Sequence, residues 1–215
     1  MPTIIQRIKE QADTKQVDTS SAFGRSWLLQ KMARLSPTYR DRMEIIRDQE
    51  QQRNRVMLGR MYFFMYNAKT KEVLPYWDRF PMVIPIMPHN DGFLGLNLHY
   101  IYPKDRLILL QQLSQALTGS LRDERTRLRL TYPILKAMHT AYRATPCIKR
   151  YLKGHIRSRF IEIPPTEWDI AAALPVQSFV AEQKKMQRND AMEAHKARVA
   201  QIRKEQVWKD SKEKY

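Results

Sequence analysis

Nine cations in two groups are the residues of this chain best suited to chemistry. Arg122, Arg125 and Arg129 fall at i, i+3 and i+7, one face if the segment is helical, with Arg127 off that face. Lys149, Arg150, Lys153, Arg157 and Arg159 follow, with Tyr151 and Phe160 among them. Guanidinium forks match phosphate oxygens, ammonium groups meet them as point charges, and neighbouring rings can stack or simply pack. The chemistry is recognition of a polyanion. The bland alternative is a solvated surface. However, 11 basic and two acidic residues lie between positions 121 and 159, and a surface built for solubility mixes both signs.

Residues for a reaction are harder to find. The histidines are His89, His99, His139, His155 and His195, and no two stand at metal-ligand spacing. His89 and His99 across a hairpin, with Asp91 at its turn, come nearest to a site, but ordinary hydrogen-bonded histidines are commoner. Cys147 is the single cysteine, so no internal disulfide forms, and nothing local marks it as a nucleophile. "GFLGL" lacks the lysine and the spacing of a phosphate loop. A Mg²⁺ nuclease would draw on Asp78, Glu162, Glu167 and Asp169. The run "EIPPTEWD" follows no metal-loop pattern, and acids favoured at a helix N-terminus explain it. No catalytic residue, no metal and no cofactor is therefore expected.

The elements that must carry the cations can be read from periodicity. Ile4, Ile5 and Ile8 mark a helix over residues 3–12. A second helix is expected over 22–35, capped by Ser20 or Ser21, with Phe23, Trp27 and Met32 as its apolar members. A third is expected from Pro37 to Met57. From Arg60 the texture changes. "RMYFFMY" is apolar or aromatic on both faces, as in a strand buried on two sides. "PMVIPIMP" reads as a strand whose Pro85 belongs at an edge or a bulge. Asp91-Gly92 is a hairpin turn. "NDGFLGLNLHY" then puts Leu94, Leu96, Leu98 and Tyr100 on one face, the core. Phe93, Gly95, Asn97 and His99 lie on the other, where structural hydrogen bonds or a partner are expected.

The sheet should span residues 60–101. Pro103 and the Leu107, Leu110 and Leu117 stripe give a helix ended by Gly119. Further helices are expected at 133–143, at "CIKRYLKG" and at "TEWDIAAAL", with a strand at "HIRSRFIEI". Residues 178–212 have strong helix formers and few apolar ones, an arm that needs a partner. The fold class is α+β: a small antiparallel sheet packed by helices, with helical N-terminal and C-terminal extensions. The expected division is 1–57 as a helical N-terminal extension, 58–176 as the α+β core and 177–215 as a basic C-terminal arm.

Bulk properties agree with a binding protein. The 215 residues carry a net charge of +16, which predicts a polyanionic partner. The N-terminus lacks the apolar core of a signal peptide, and no apolar run is long enough to span a bilayer. A reducing compartment fits the lone cysteine.

Three stretches, "GRMYFFMYNAKTKEVLPYWDRFPMVIPI", "DGFLGLNLHYIYP" and "CIKRYLKGHIRSRFIEIPPTEWDIAAALPVQSF", occur together with a closing "QVWKDS". In these the chain resembles a virion structural protein of T-even-type contractile-tailed bacteriophages, of the kind that protects DNA ends. The resemblance covers about residues 59–180 and the last few. It implies a minor head- or neck-associated protein near the terminus of packaged double-stranded DNA, in the virion, assembled in the bacterial host cytoplasm. It carries over no enzymatic residue. Expected partners are double-stranded DNA and other virion subunits, with no membrane and with multiple copies in a symmetric assembly. The alternative is a neck, tail or baseplate assembly protein whose basic face and terminal helices bind other subunits.

Overall fold

The computed structural model describes residues 2–74, 76–118 and 147–181. The expected helix at 133–143, the C-terminal arm beyond residue 181 and the cations Arg122, Arg125, Arg127 and Arg129 lie outside the described residues. Helix α1 (Ile4–Thr14) opens with a capping box in which Thr3 and Gln6 satisfy each other's backbone N–H, and it buries Ile4, Ile5, Ile8 and Ala12. Helix α2 (Ala22–Ala33) is capped by Ser21 and buries Gly24, Leu28 and Met32. Of the expected apolar members Met32 is buried and Trp27 is half-buried against the core, but the first turn is rotated: Phe23 is 72% exposed and Gly24 takes the inner position. Gly24 forces this rotation, because its Cα lies against the Asp18 carbonyl, where a Cβ would come within 1.9 Å.

Helix α3 is Tyr39–Ile46, capped by Thr38 and Asp41, far shorter than the expected span to Met57. No apolar residue stands between Ile46 and Val56, so a longer helix would have nothing to bury. The chain instead turns and contributes β1 (Gln52–Arg53), which pairs with a strand more than a hundred residues on.

The main sheet has six antiparallel strands in the order β1-β7-β2-β4-β5-β6. Its centre is local: β2 (Met61–Phe63), β4 (Met82–His89) and β5 (Gly92–Asn97). β4 is interior, not an edge strand, and Pro85 is tolerated because the register slips between Pro85 and Met87. The flanking strands come from beyond the expected sheet. β7 (Phe160–Ile163) pairs with β2 and β1, and β6 (Ile148–Leu152) pairs with β5. β6 replaces the expected helical turn at "CIKRYLKG". β3 (Tyr76–Asp78) and β8 (Phe179–Ala181) form a separate two-stranded sheet.

Both faces of the main sheet are covered. Met61, Phe63, Met82, Ile84 and Leu96 join one cluster with residues of α1, α2, α3, α4 (Pro103–Thr118) and α5 (Trp168–Ala173). Tyr62, Phe64, Phe93, Tyr151 and Phe160 form the other. In it Phe64 meets Tyr151 at 5.3 Å and Phe160 at 5.2 Å, both edge to face, the arrangement ring quadrupoles favour. Leu98, His99 and Tyr100 continue from β5 as a 3-10 turn and are all buried. Glu162 on β7 is gripped by Arg53 (3.0 Å) and Arg60, which ties the β1 edge to the sheet.

Gly92 sets the β5–β6 contact. A Cβ there would lie 1.8 Å from the Tyr151 carbonyl oxygen, a backbone atom that can move only by prising β6 away. Gly92→Ala is expected to cost about 2–4 kcal/mol in denaturant unfolding. Gly154→Ala, where a Cβ meets nothing within 4 Å, is the control and should change stability by under about 1 kcal/mol.

Candidate nucleic-acid interface

β6 and β7 stand at opposite sides of the meander, four strand spacings apart, or roughly 19 Å. The chain joins them by crossing one end of the sheet over residues 153–159. That crossing is held by backbone. Lys153 N–H donates to the Asp91 carbonyl at 2.8 Å, Asn67 N–H to the His155 carbonyl at 2.9 Å, and Arg157 N–H to the Met65 carbonyl at 2.9 Å. The Ser158 hydroxyl accepts from Met65 N–H at 2.9 Å, and His155 Nδ1 donates to the Asn67 carbonyl at 2.9 Å. Ile156 bridges Tyr66. With its backbone occupied inward, the segment turns Lys153, Arg157 and Arg159 out to solvent. Arg159 donates to the Gln52 side chain at 3.3 Å. Neither Lys153 nor Arg157 has an acidic partner among the described residues.

The remaining two candidates on β6 behave differently. Arg150 donates to both carboxylate oxygens of Asp91, at 2.7 and 2.8 Å, and that hydrogen-bonded contact holds the Asp91 carboxyl below the usual range. Lys149 is half-buried, its Nζ 4.5 Å from the centre of the Tyr100 ring, and burial pulls its ammonium below the ordinary value. It lines a cleft of about 410 Å³ between residues 66–78 and the β5–β6 edge, together with Lys69, Tyr76, Trp77, Tyr100 and Tyr151. Lys69 and Tyr76 were not among the expected contacts. The loop "NAKTKEV" beside an aromatic run was the available signal.

The acids proposed for a nuclease do not converge. Glu162 sits between Arg53 and Arg60, and Glu167 pairs with Lys9 at 3.5 Å. Asp169, on α5, has its carboxyl raised by burial. Asp78 is fully buried beside His99, whose Nδ1 lies 2.6 Å from Oδ2. Asp78 also accepts from Asn97 Nδ2 (3.3 Å) and from the N–H groups of Phe80 (3.1 Å) and Ser178 (3.2 Å). Burial opposes the Asp78 charge, but His99 and these donors outweigh it and leave the carboxyl below its ordinary value. For His99 burial prevails over the attraction of Asp78, so the ring is held below its ordinary value and is neutral at pH 7. Asn97 and His99 are thus structural donors, as expected.

His89 faces Gly92 at the opposite end of the hairpin from His99, so the two do not share a site. Burial pushes the Cys147 thiol up to about 11, a protonated and unreactive state at neutral pH. Among the described residues no three His, Cys, Asp or Glu side chains gather as a metal site. Nor is any described helix long and apolar enough to cross a membrane.

The family model described as the phage T4 terminal DNA protecting protein matches residues 37–195. No curated protein and no solved structure matches the chain.

Proposed function

The chain belongs to the phage T4 terminal DNA protecting protein family, and from that premise we propose that it shields the end of packaged double-stranded DNA by binding alone, without catalysis. The supporting observation is the 153–159 crossing: three outward cations on a backbone pinned at both ends. Arg157 and Arg159, with the half-buried Ser158 between them, are two residues apart in the chain. In extended backbone that is about 6.6 Å, comparable to the separation of adjacent phosphates on one strand. Such contacts carry no base information, so binding is independent of sequence. Arg122, Arg125, Arg127 and Arg129 extend the contact set, with Lys149 and Arg150 at its β6 end. We further place the protein at the head–neck region of the virion, assembled in the host cytoplasm with other virion subunits as neighbours.

Two measurements on the full chain test this. Linear duplex mixed with the protein should resist a double-strand exonuclease. Changing Lys153, Arg157 and Arg159 together to Ala should remove that resistance at moderate salt. In equilibrium titrations the same triple variant should flatten the slope of log affinity against log salt by about 2–3, since each released phosphate contact contributes roughly 0.9. An unchanged slope rejects these three residues as contacts, and unprotected linear DNA with the unaltered protein rejects the function.

A further inference from the structure

We infer that the cleft beside β6 receives one unpaired terminal nucleotide of the DNA, its base against the half-buried Tyr76, which the buried Tyr100 backs, and its phosphate at Lys149 and Lys69. The inference rests on the functional reading above and names where the end itself goes. The cleft volume of about 410 Å³ lies in the usual range for small-ligand sites. Tyr76 is half-buried and stacks on Tyr100, with ring centres 6.1 Å apart and planes 20° from parallel. Lys149 leans over the second of these rings. It is a half-buried cation with no carboxylate of its own among the described residues, because the two nearby acids are taken. Asp91 is held by Arg150, and Asp78 by His99, Asn97 and two backbone N–H groups. A half-buried ammonium left in this state is a place for an incoming anion.

The cleft is also continuous with the cationic crossing. Leu152 lines it, and Lys153 begins the crossing at the next residue. A strand whose phosphates follow residues 153–159 therefore runs to the mouth of the cleft. The site would favour an end for a physical reason. A base within a duplex must be unpaired and unstacked before it can enter, whereas a terminal unpaired nucleotide has little to lose. Stacking on tyrosine is indifferent to which base arrives, which suits protection of any end.

The test uses anisotropy titrations of the full chain with three DNAs of one sequence. They are a covalently closed duplex minicircle, a blunt linear duplex, and a linear duplex carrying one unpaired 5′-terminal nucleotide. The unpaired end is expected to bind about tenfold tighter than the minicircle. An abasic residue at that position should remove most of the gain. Lys149→Gln and Tyr76→Leu should each bring the ratio close to one. The lysine variant stands alone if the tyrosine variant fails to fold. A ratio near one in the unaltered protein, or an unaltered ratio in Lys149→Gln, overturns the inference. If exonuclease resistance persists in either of those cases, only the cleft is rejected; if resistance is absent as well, the functional reading falls with it.

Discussion

Arg106→Met is expected to lower unfolding stability by about 3–4 kcal/mol. Arg106, on α4, is 2% exposed and forms no ion pair with a carboxylate among the described residues, although the Asp78 charge favours its protonated form. Its Nε donates to the Ile101 carbonyl at 2.6 Å, while its terminal nitrogens donate to the Ala172 carbonyl at 3.2 Å and the His99 carbonyl at 3.3 Å. Burial pulls the guanidinium down only to about 10, so it stays charged at neutral pH. One side chain thus ties the exit of β5, the start of α4 and the last turn of α5. Ala172 belongs to that last turn, whose carbonyls have no partner within the helix. Methionine fills the volume but strips three buried carbonyls at once, each worth about 1–3 kcal/mol when left unpaired. Relief from burying a charge offsets part of that sum. Urea unfolding checks it: a loss under about 0.5 kcal/mol would mean that these carbonyls find other donors.

Asp78→Ala is the second large effect, about 3–5 kcal/mol, because it deprives His99, Asn97 and the N–H groups of Phe80 and Ser178 of their shared acceptor. The same cluster gives a pH dependence with a definite sign. Both His99 and Asp78 are depressed on folding. For each, the unfolded chain takes up a proton that the native chain refuses, so stability is fully present above the ordinary value and drains as pH falls. The loss starts near 6.5, where an unburied His99 would protonate, and Asp78 adds to it below 3.8. The slope attributable to His99 approaches about 1.4 kcal/mol per pH unit. Thermal unfolding from pH 7.5 to 5 should show it, and His99→Asn should flatten it. A wild-type melting temperature indifferent to pH over that range would contradict a neutral, buried ring.

The parts of this fold that were readable are those whose reasons are local. Ile4, Ile5 and Ile8 repeat at helical spacing, Asp91-Gly92 can only turn, and the Met61–Phe63 run is apolar on both faces because both faces are packed. The unreadable parts are made by distant partners. Ile148, Tyr151 and Leu152 stand at i, i+3 and i+4, a helical spacing, yet β5 draws them into a strand through pairs such as Leu96 with Ile148. Tyr76–Asp78 resembles a connection until Phe179 and Val180 arrive beside it. The cations were legible as a group, but their division was not. Nothing in "CIKRYLKG" reveals that Arg150 reaches Asp91, or that Lys149 turns over Tyr100 while Lys153 faces solvent. Arg106 carried no signal, since a lone arginine in an amphipathic helix reads as surface.

The strand order has a consequence for how the molecule is made. The β2-β4-β5 meander leaves the ribosome as a unit, but the strands that close it on either side, β6 and β7, are translated some fifty residues or more later. Until then the nascent chain carries two bare hydrogen-bonding borders on an apolar sheet, the geometry most prone to pairing with a neighbouring copy. Productive yield in the host should therefore depend on translation temperature and on chaperone supply more steeply than the finished protein's stability would suggest.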